Sequence, residues 1–160
     1  MVVWRVTRKA HTAQPLSGEG ARLYGGRWNH IGVPIVYTSQ TLSLAVLEYL
    51  VNLSIADLPD DLFSIRIEIP DSFARREIAV DDLPNTWRMF PATEELKDIG
   101  TDWAKKADTP VLLVPSVVIP SEFNCLINPR HDLVRKIVVD RVEPFAWDAR
   151  LKKRRRPRKR

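Results

Sequence analysis

Apolar positions recur along this chain with two different periods, and the changes of period mark out its elements. Val2–Val6 opens as a strand, and a long polar loop without apolar periodicity follows over His11–Asn29. Val33–Ser39 is rich in β-branched residues and reads as a second strand. Over Thr41–Leu53 the spacing changes. Leu42, Ala45, Val46, Tyr49, Leu50 and Leu53 fall at i, i+3, i+4, i+7, i+8 and i+11, which predicts a helix capped by Ser39 or Thr41. Leu44, Leu47 and Val51 add a second apolar face, so this helix is expected to be buried nearly all round.

Leu62–Pro70 alternates, with Phe63, Ile65, Ile67 and Ile69 on one face and Ser64, Arg66 and Glu68 on the other, as in a half-exposed strand. Ala74–Val80 suggests another short strand, and Leu83–Met89 a turn entering a short helix. Thr93–Ala107 predicts a helix with Leu96, Ile99 and Trp103 inward, weakened by Gly100. Pro110–Pro120 is strand-like, and Pro115 within it implies an edge, a bulge or a bend. Glu122–Pro129 and Arg135–Phe145 complete the β content. No repeat or internal linker divides the chain. The pattern is α+β: one domain over 1–150 with a mixed β-sheet core, flanking helices, and strands dominating the second half.

Composition changes this picture only at the C-terminus. The chain of 160 residues is 44% hydrophobic and 28% charged, enough for one hydrophobic core. Its net charge of +5 is misleading, because Lys152–Arg160 carries eight cations and no acid and leaves the remainder at −3. A run of this kind buries no apolar surface, so 151–160 is expected to be a disordered basic tail. It reads either as an arm for nucleic acid or another acidic partner, or as a solvated extension; the absence of interleaved aromatics favours the extension. No apolar run approaches the roughly 20 residues of a membrane span. Arg5 breaks the N-terminal apolar run too early for a secretory signal. The one cysteine, Cys125, excludes an internal disulfide and suits a reducing cytoplasm. His11, His30 and His131 with that cysteine have no zinc spacing, so no metal site is expected.

Four positions stand out chemically. Glu48 is an acid in an apolar helix, where it must face a wet cleft, meet a cation, or lie on the helix's least buried side as a plain surface residue. Arg27 follows Gly25-Gly26, a turn whose backbone can approach a ligand and whose N–H groups can form an anion-binding nest; a solvated hairpin arginine is the plainer reading. Tyr37 sits in an apolar strand, either as core or with its ring offered to a flat ligand. Ser116 lies in an apolar run without a nucleophile elbow, so it is not a hydrolase nucleophile. The glycines form no phosphate-binding P-loop either, since no Gly-Lys-Ser/Thr follows them.

In sequence order, "LSGEGARLYGGRWN", "VPIVYTSQTLSLAVLEYLV", "VPSVVIP" and "NCLINPRH" resemble the RES-domain toxins. The resemblance covers roughly Val3 to Val142. By position it places the family's name-giving Arg, Glu and Ser at Arg27, Glu48 and Ser116, and its active-site tyrosine at Tyr37. It implies a fold similar to ADP-ribosyltransferase toxins, NAD+ as substrate rather than a prosthetic group, and a cytoplasmic toxin. The implied partner is an Xre-type helix-turn-helix antitoxin covering the active site, with DNA reached only through that antitoxin; a homodimer stays open. Gly26, Trp28 and Asn128, within the same stretches, are expected to join Arg27 and Tyr37 in binding NAD+. Two departures from the family pattern, Asn124-Cys125-Leu126 for Asn-Tyr-Leu and His131-Asp132-Leu133 for His-Pro-Asp, are expected to lie away from the Arg–Tyr–Glu set.

Read chemically, that set suits cleavage of the nicotinamide–ribose bond. An oxocarbenium-like cation develops, nicotinamide leaves neutral, and one carboxylate suffices to stabilise the charge. Glu48 takes that role, Arg27 holds the phosphate side, Tyr37 orients nicotinamide, and Ser116 hydrogen-bonds the ligand or braces Glu48. The acceptor stays open. Water or phosphate, the latter as co-substrate, would deplete cellular NAD+; a protein side chain would make the chain an ADP-ribosyltransferase. The most distant alternative is a non-catalytic protein binding nucleic acid or a partner through the basic tail.

Overall fold

The computed structural model describes residues 1–54 and 58–151. Seven strands form: β1 (Val2–Arg8), β2 (Val36–Ser39), β3 (Leu62–Glu68), β4 (Arg75–Glu77), β5 (Val111–Pro115), β6 (Phe123–Ile127) and β7 (Val138–Phe145). Three α-helices accompany them: α1 (Glu19–Tyr24), α2 (Leu42–Leu50) and α3 (Glu94–Lys106). The strands make one mixed sheet in the order β4-β5-β6-β2-β1-β3-β7, in which only the β4–β5 pair is parallel. This is the α+β architecture expected, although the strands are spread along the whole chain instead of concentrating in its second half.

The sheet has a weak joint. β1 pairs with β3 from Val2↔Glu68 to Arg8↔Leu62, and β2 pairs with β6 from Val36↔Ile127 to Ser39↔Asn124. Between β1 and β2 the ladder is Trp4↔Ser39 alone. One face bridges the joint with a continuous apolar cluster that includes Val3, Val36, Ile65, Ile67, Cys125 and Ile127. The other face carries two clusters. Trp28, Ile35, Leu112 and Leu126 pack with Leu96 and Trp103 of α3, while Val6, Leu62 and Trp147 pack with Ala45 of α2. Burying each such large side chain is worth about 1.5–3 kcal/mol, so each half of this face is held by its own helix. The space left between the halves is the cleft described below.

Several elements differ from the sequence expectation for identifiable reasons. The long polar loop contains α1, whose six residues show no apolar period because only Ala21 packs against the core. Thr41 caps α2, its Oγ1 accepting from Leu44 N at 3.1 Å. The helix is shorter than expected and buries only Leu44 and Ala45. It lies over the joint, with Glu48 and Asn52 on the cleft and Leu42, Val46, Leu47 and Leu50 beside Phe145 on an outer groove. Apolar residues all round therefore do not mean burial all round here. Val33 and Ile35 precede β2 as buried non-strand residues. Leu83–Met89 makes turns without a helix, after a 3₁₀ turn at Val80–Asp82. Pro115 ends β5, a strand lying between β4 and β6 and not at an edge. Among the described residues no helix is long and apolar enough to cross a membrane. The basic tail, residues 152–160, lies outside the described residues.

Candidate active site

The glycine-rich turn is built around a buried asparagine. Gly25 ends α1 with φ 71°, and Gly26 N donates to Asn29 O at 3.1 Å to close the turn. Asn29, fully buried, donates from Nδ2 to the carbonyls of Ala21, His30 and Val33. The Tyr37 hydroxyl donates to Asn29 Oδ1 at 2.7 Å and accepts from Trp28 N at 3.0 Å. A Cβ on Gly26 would lie 2.5 Å from that hydroxyl, so this glycine makes room for Tyr37. Of the two readings of this turn, the N–H groups of Gly26 and Trp28 do not serve an anion-binding nest, since they donate to Asn29 O and Tyr37 Oη. Burial pushes the Tyr37 phenol well above its ordinary pKa, with smaller opposing effects from the Trp28 N–H and the Arg27 charge. Tyr37 therefore stays neutral, its hydroxyl occupied, and its ring borders the cleft.

Glu48 projects from α2 toward the opposite half of the sheet. Its Oε1 accepts from Ser116 Oγ at 2.7 Å and from Asn124 Nδ2 at 2.6 Å. Ser116 is fully buried, and its Oγ also accepts from Val118 N and Ile119 N at 3.1 and 3.0 Å. Of the two roles expected for Ser116, the structure shows the bracing of Glu48. Ser39 Oγ in turn donates to Asn124 Oδ1 at 2.7 Å. Both departures lie away from the Arg–Tyr–Glu set, although the first adjoins a residue that does not. Asn124 contacts Glu48 directly, while the neighbouring Cys125 faces the other side of the sheet, as strand alternation requires. His131 is elsewhere, its Nδ1 accepting from Leu133 N at the start of a 3₁₀ turn.

Arg27 stands across from Glu48. Its Nη1 donates to the carbonyls of Trp87 and Met89 at 2.9 and 3.0 Å, tying the 87–89 segment to the glycine turn. Desolvation lowers its pKa, opposed by the charge of Glu48 and by Tyr37. Glu48, Arg27 and Tyr37 all line one cleft of ≈1440 Å³. That exceeds the 300–1,000 Å³ of an ordinary small-molecule pocket and accommodates an extended dinucleotide. Gly26 and Trp28 line it too. Asn128 does not. It is fully buried, with Nδ2 donating to Ala104 O and Oδ1 accepting from Arg130 N, so it braces α3 against the chain after β6. Tyr24 and Phe90, 82% and 83% exposed, stand among the cleft-lining residues.

Sequence reasoning missed Ser39, Asn124 and Arg5. Ser39 lies two residues after Tyr37, on the same strand face, which is a readable signal. Asn124 becomes visible only through its register with Ser39. Arg5 lines the cleft, donates to Pro15 O at 3.3 Å, and has its pKa lowered by burial. Among the described residues no cluster of His, Cys, Asp or Glu could hold a metal ion.

Comparison with known proteins gives a consistent result. The family model described as the RES domain matches residues 2–148. A protein of Sphingobium sp. (strain YBL2) named "Prs ADP-ribosylating toxin" is 41% identical over 152 residues, covering 92% of this chain and 94% of its own. A "Toxin Res" of Yersinia enterocolitica is 38% identical over 154 residues, covering 95% and 100%. Among solved structures, the M. tuberculosis MbcT-MbcA toxin-antitoxin complex contains a chain of the same fold, with a TM-score of 0.73 at 17% identity over 90% of this chain and 83% of that one.

Proposed function

The chain belongs to the RES-domain family, and from that premise we propose that it is the toxin of a bacterial toxin–antitoxin pair that cleaves NAD+ at the nicotinamide–ribose bond. The observation that carries this reading is Glu48: a carboxylate in a dinucleotide-sized cleft, one oxygen held by Ser116 and Asn124, the other accepting no hydrogen bond from a described residue. As the C1′–N bond breaks, its electron pair passes to the nicotinamide ring and neutralises it. The ribosyl group left behind carries the developing positive charge. A fixed carboxylate beside that charge lowers the barrier without reorganising. In this reading Arg27 holds the diphosphate side and the Tyr37 ring orients the nicotinamide, a role supported by both residues lining the cleft.

The acceptor then supplies an oxygen lone pair to C1′ and gives up a proton. With water the products are ADP-ribose and nicotinamide; with phosphate the sugar ends as its 1-phosphate. Glu48, Arg27, Tyr37 and Ser116 act on the donor in this reading and do not discriminate between these. Transfer to a protein is the second reading, favoured by the 41% identical relative being named an ADP-ribosylating toxin. A protein antitoxin closing the cleft is supported by the fold neighbour having been solved as a toxin–antitoxin complex, and the family reading makes it Xre-type. We place the protein in the cytoplasm.

The test is NAD+ consumption by purified, antitoxin-free protein, with and without phosphate and with a cell extract as acceptor source, resolving nicotinamide and the second product. Nicotinamide release is expected in at least one arm, reduced about 10²–10³-fold in a folded Glu48→Gln variant. No release in any arm, or wild-type turnover by Glu48→Gln, overturns the proposal.

A further inference from the structure

We propose that Ser39 and Asn124 act as a positioning pair that determines which oxygen of Glu48 meets the ligand; this rests on Glu48 being the ligand-facing carboxylate. The hydrogen bonds around Glu48 admit a single proton arrangement. Ser116 Oγ already accepts two backbone N–H groups, so its one hydrogen goes to Oε1 at 2.7 Å. An ionised carboxylate only accepts, so the Asn124 atom facing it at 2.6 Å is the NH₂. That orientation turns Oδ1 toward Ser39, which must then donate, at 2.7 Å. The donor chain runs Ser39 to Asn124 to Glu48, in one direction only.

Two donors, one just past the end of β5 and one on the adjacent β6, converge on Oε1, remove the two-fold freedom of the carboxylate and leave Oε2 for the substrate. The placement follows from register. Ser39 and Asn124 are cross-strand partners on β2 and β6, so both project from the same face. Ser39 is also paired with Trp4, the one rung joining the two halves of the sheet. The orientation of Glu48 is thereby tied to the joint beneath the cleft. The charged side chain felt by Glu48 from the glycine turn is Arg27; β1 contributes Arg5 and β2 the neutral Tyr37 phenol to the same cleft, and the variants below leave all three intact.

Asn124→Asp preserves shape, keeps an acceptor for Ser39, removes the donor, and sets a second carboxylate against Oε1. Two such groups cannot both ionise freely. Turnover is expected to fall at least tenfold at neutral pH with KM for NAD+ within about threefold, and the acid limb of the rate profile to move up by at least one pH unit. Ser39→Ala is expected to cost severalfold in wild type and nothing further in an Asn124→Ala background, the signature of one relay. An activity-independent reading comes from ¹³C NMR of the Glu48 carboxyl carbon. Its titration midpoint should move to higher pH by at least one unit in Asn124→Asp. An unchanged midpoint together with an unshifted profile, or additive Ser39 and Asn124 effects, overturns the proposal. If wild type releases no nicotinamide, the NAD+ reading fails and the carboxyl titration alone decides the positioning.

Discussion

Gly100 offers a prediction whose sign is opposite to the usual one. An alanine in place of a glycine inside a helix ordinarily stabilises by about 1 kcal/mol. Here a Cβ at 100 would sit 2.0 Å from the Trp28 carbonyl oxygen and 2.9 Å from both Trp28 C and Cβ. Restoring ordinary contact requires α3 and the Trp28 backbone to separate by more than about 1 Å. Neither partner yields easily. The Trp28 side chain is buried in the core, its N–H is held by Tyr37, and His30 N donates to Thr101 Oγ1 on α3 itself at 3.0 Å. Overpacking of this kind costs about 1–3 kcal/mol, and a 2.0 Å contact with backbone belongs at the upper end, about 2–3, so after a propensity gain of about 1 kcal/mol Gly100→Ala should lose about 1–2 kcal/mol. In a chain of this length that lowers Tm by roughly 2–8 °C. Gly20→Ala is the internal control. No atom lies within 4 Å of its Cβ, it lies in α1, and it should be neutral or stabilising by up to about 1 kcal/mol. Urea unfolding followed by tryptophan fluorescence measures both. If Gly100→Ala matches or exceeds wild type, the close approach of α3 to the glycine turn is wrong.

Two further outcomes follow from buried groups. Tyr37→Phe strips the acceptor from Trp28 N and the donor from Asn29 Oδ1, and should destabilise by about 1–3 kcal/mol. Because the buried phenol keeps its proton while an unfolded tyrosine loses it near pH ~10, wild-type stability should fall as pH rises past that point. The variant should fall less steeply; equal slopes of urea midpoint between pH 9 and 11 would refute the burial. Burial also pushes the Cys125 thiol up to about 12, so the native protein should resist a thiol-disulfide reagent at pH 8 and react fully in urea. Fast native labelling would contradict its place in the core.

How much of this was legible beforehand depended on whether a signal was local. The alternation over Leu62–Pro70 located β3, although burial there does not follow it, since Ser64 is buried and Phe63 only partly so; β6 falls within Glu122–Pro129. The Thr41 cap and the core of α2 were readable as local signals too. α1 was not, because a six-residue helix with one packing residue leaves no period. The part-exposed state of α2 was not either. Its apolar residues split between the cleft, the sheet and an outer groove, and composition cannot distinguish those surfaces from a core.

The site shows the same division more sharply. Glu48 was conspicuous because an acid in an apolar helix needs a reason, and that reason is local. Its partners are not. Ser116 and Asn124 lie 68 and 76 residues away in the chain, and only the sheet order brings them to one oxygen. The glycines of the turn were conspicuous too, but the sequence left open what they make room for. A glycine signals that some atom must come close, and at Gly26 that atom is the Tyr37 hydroxyl, not a phosphate. Asn128 was drawn in by its neighbourhood in sequence, one residue from the strand that carries Asn124. Strand alternation and register send its amide to α3. The residues that give Glu48 a defined orientation were thus hidden by topology and not by weak chemistry. A substitution at Ser39, whose hydroxyl bonds Asn124 and not Glu48, should register in turnover only if that topology is right.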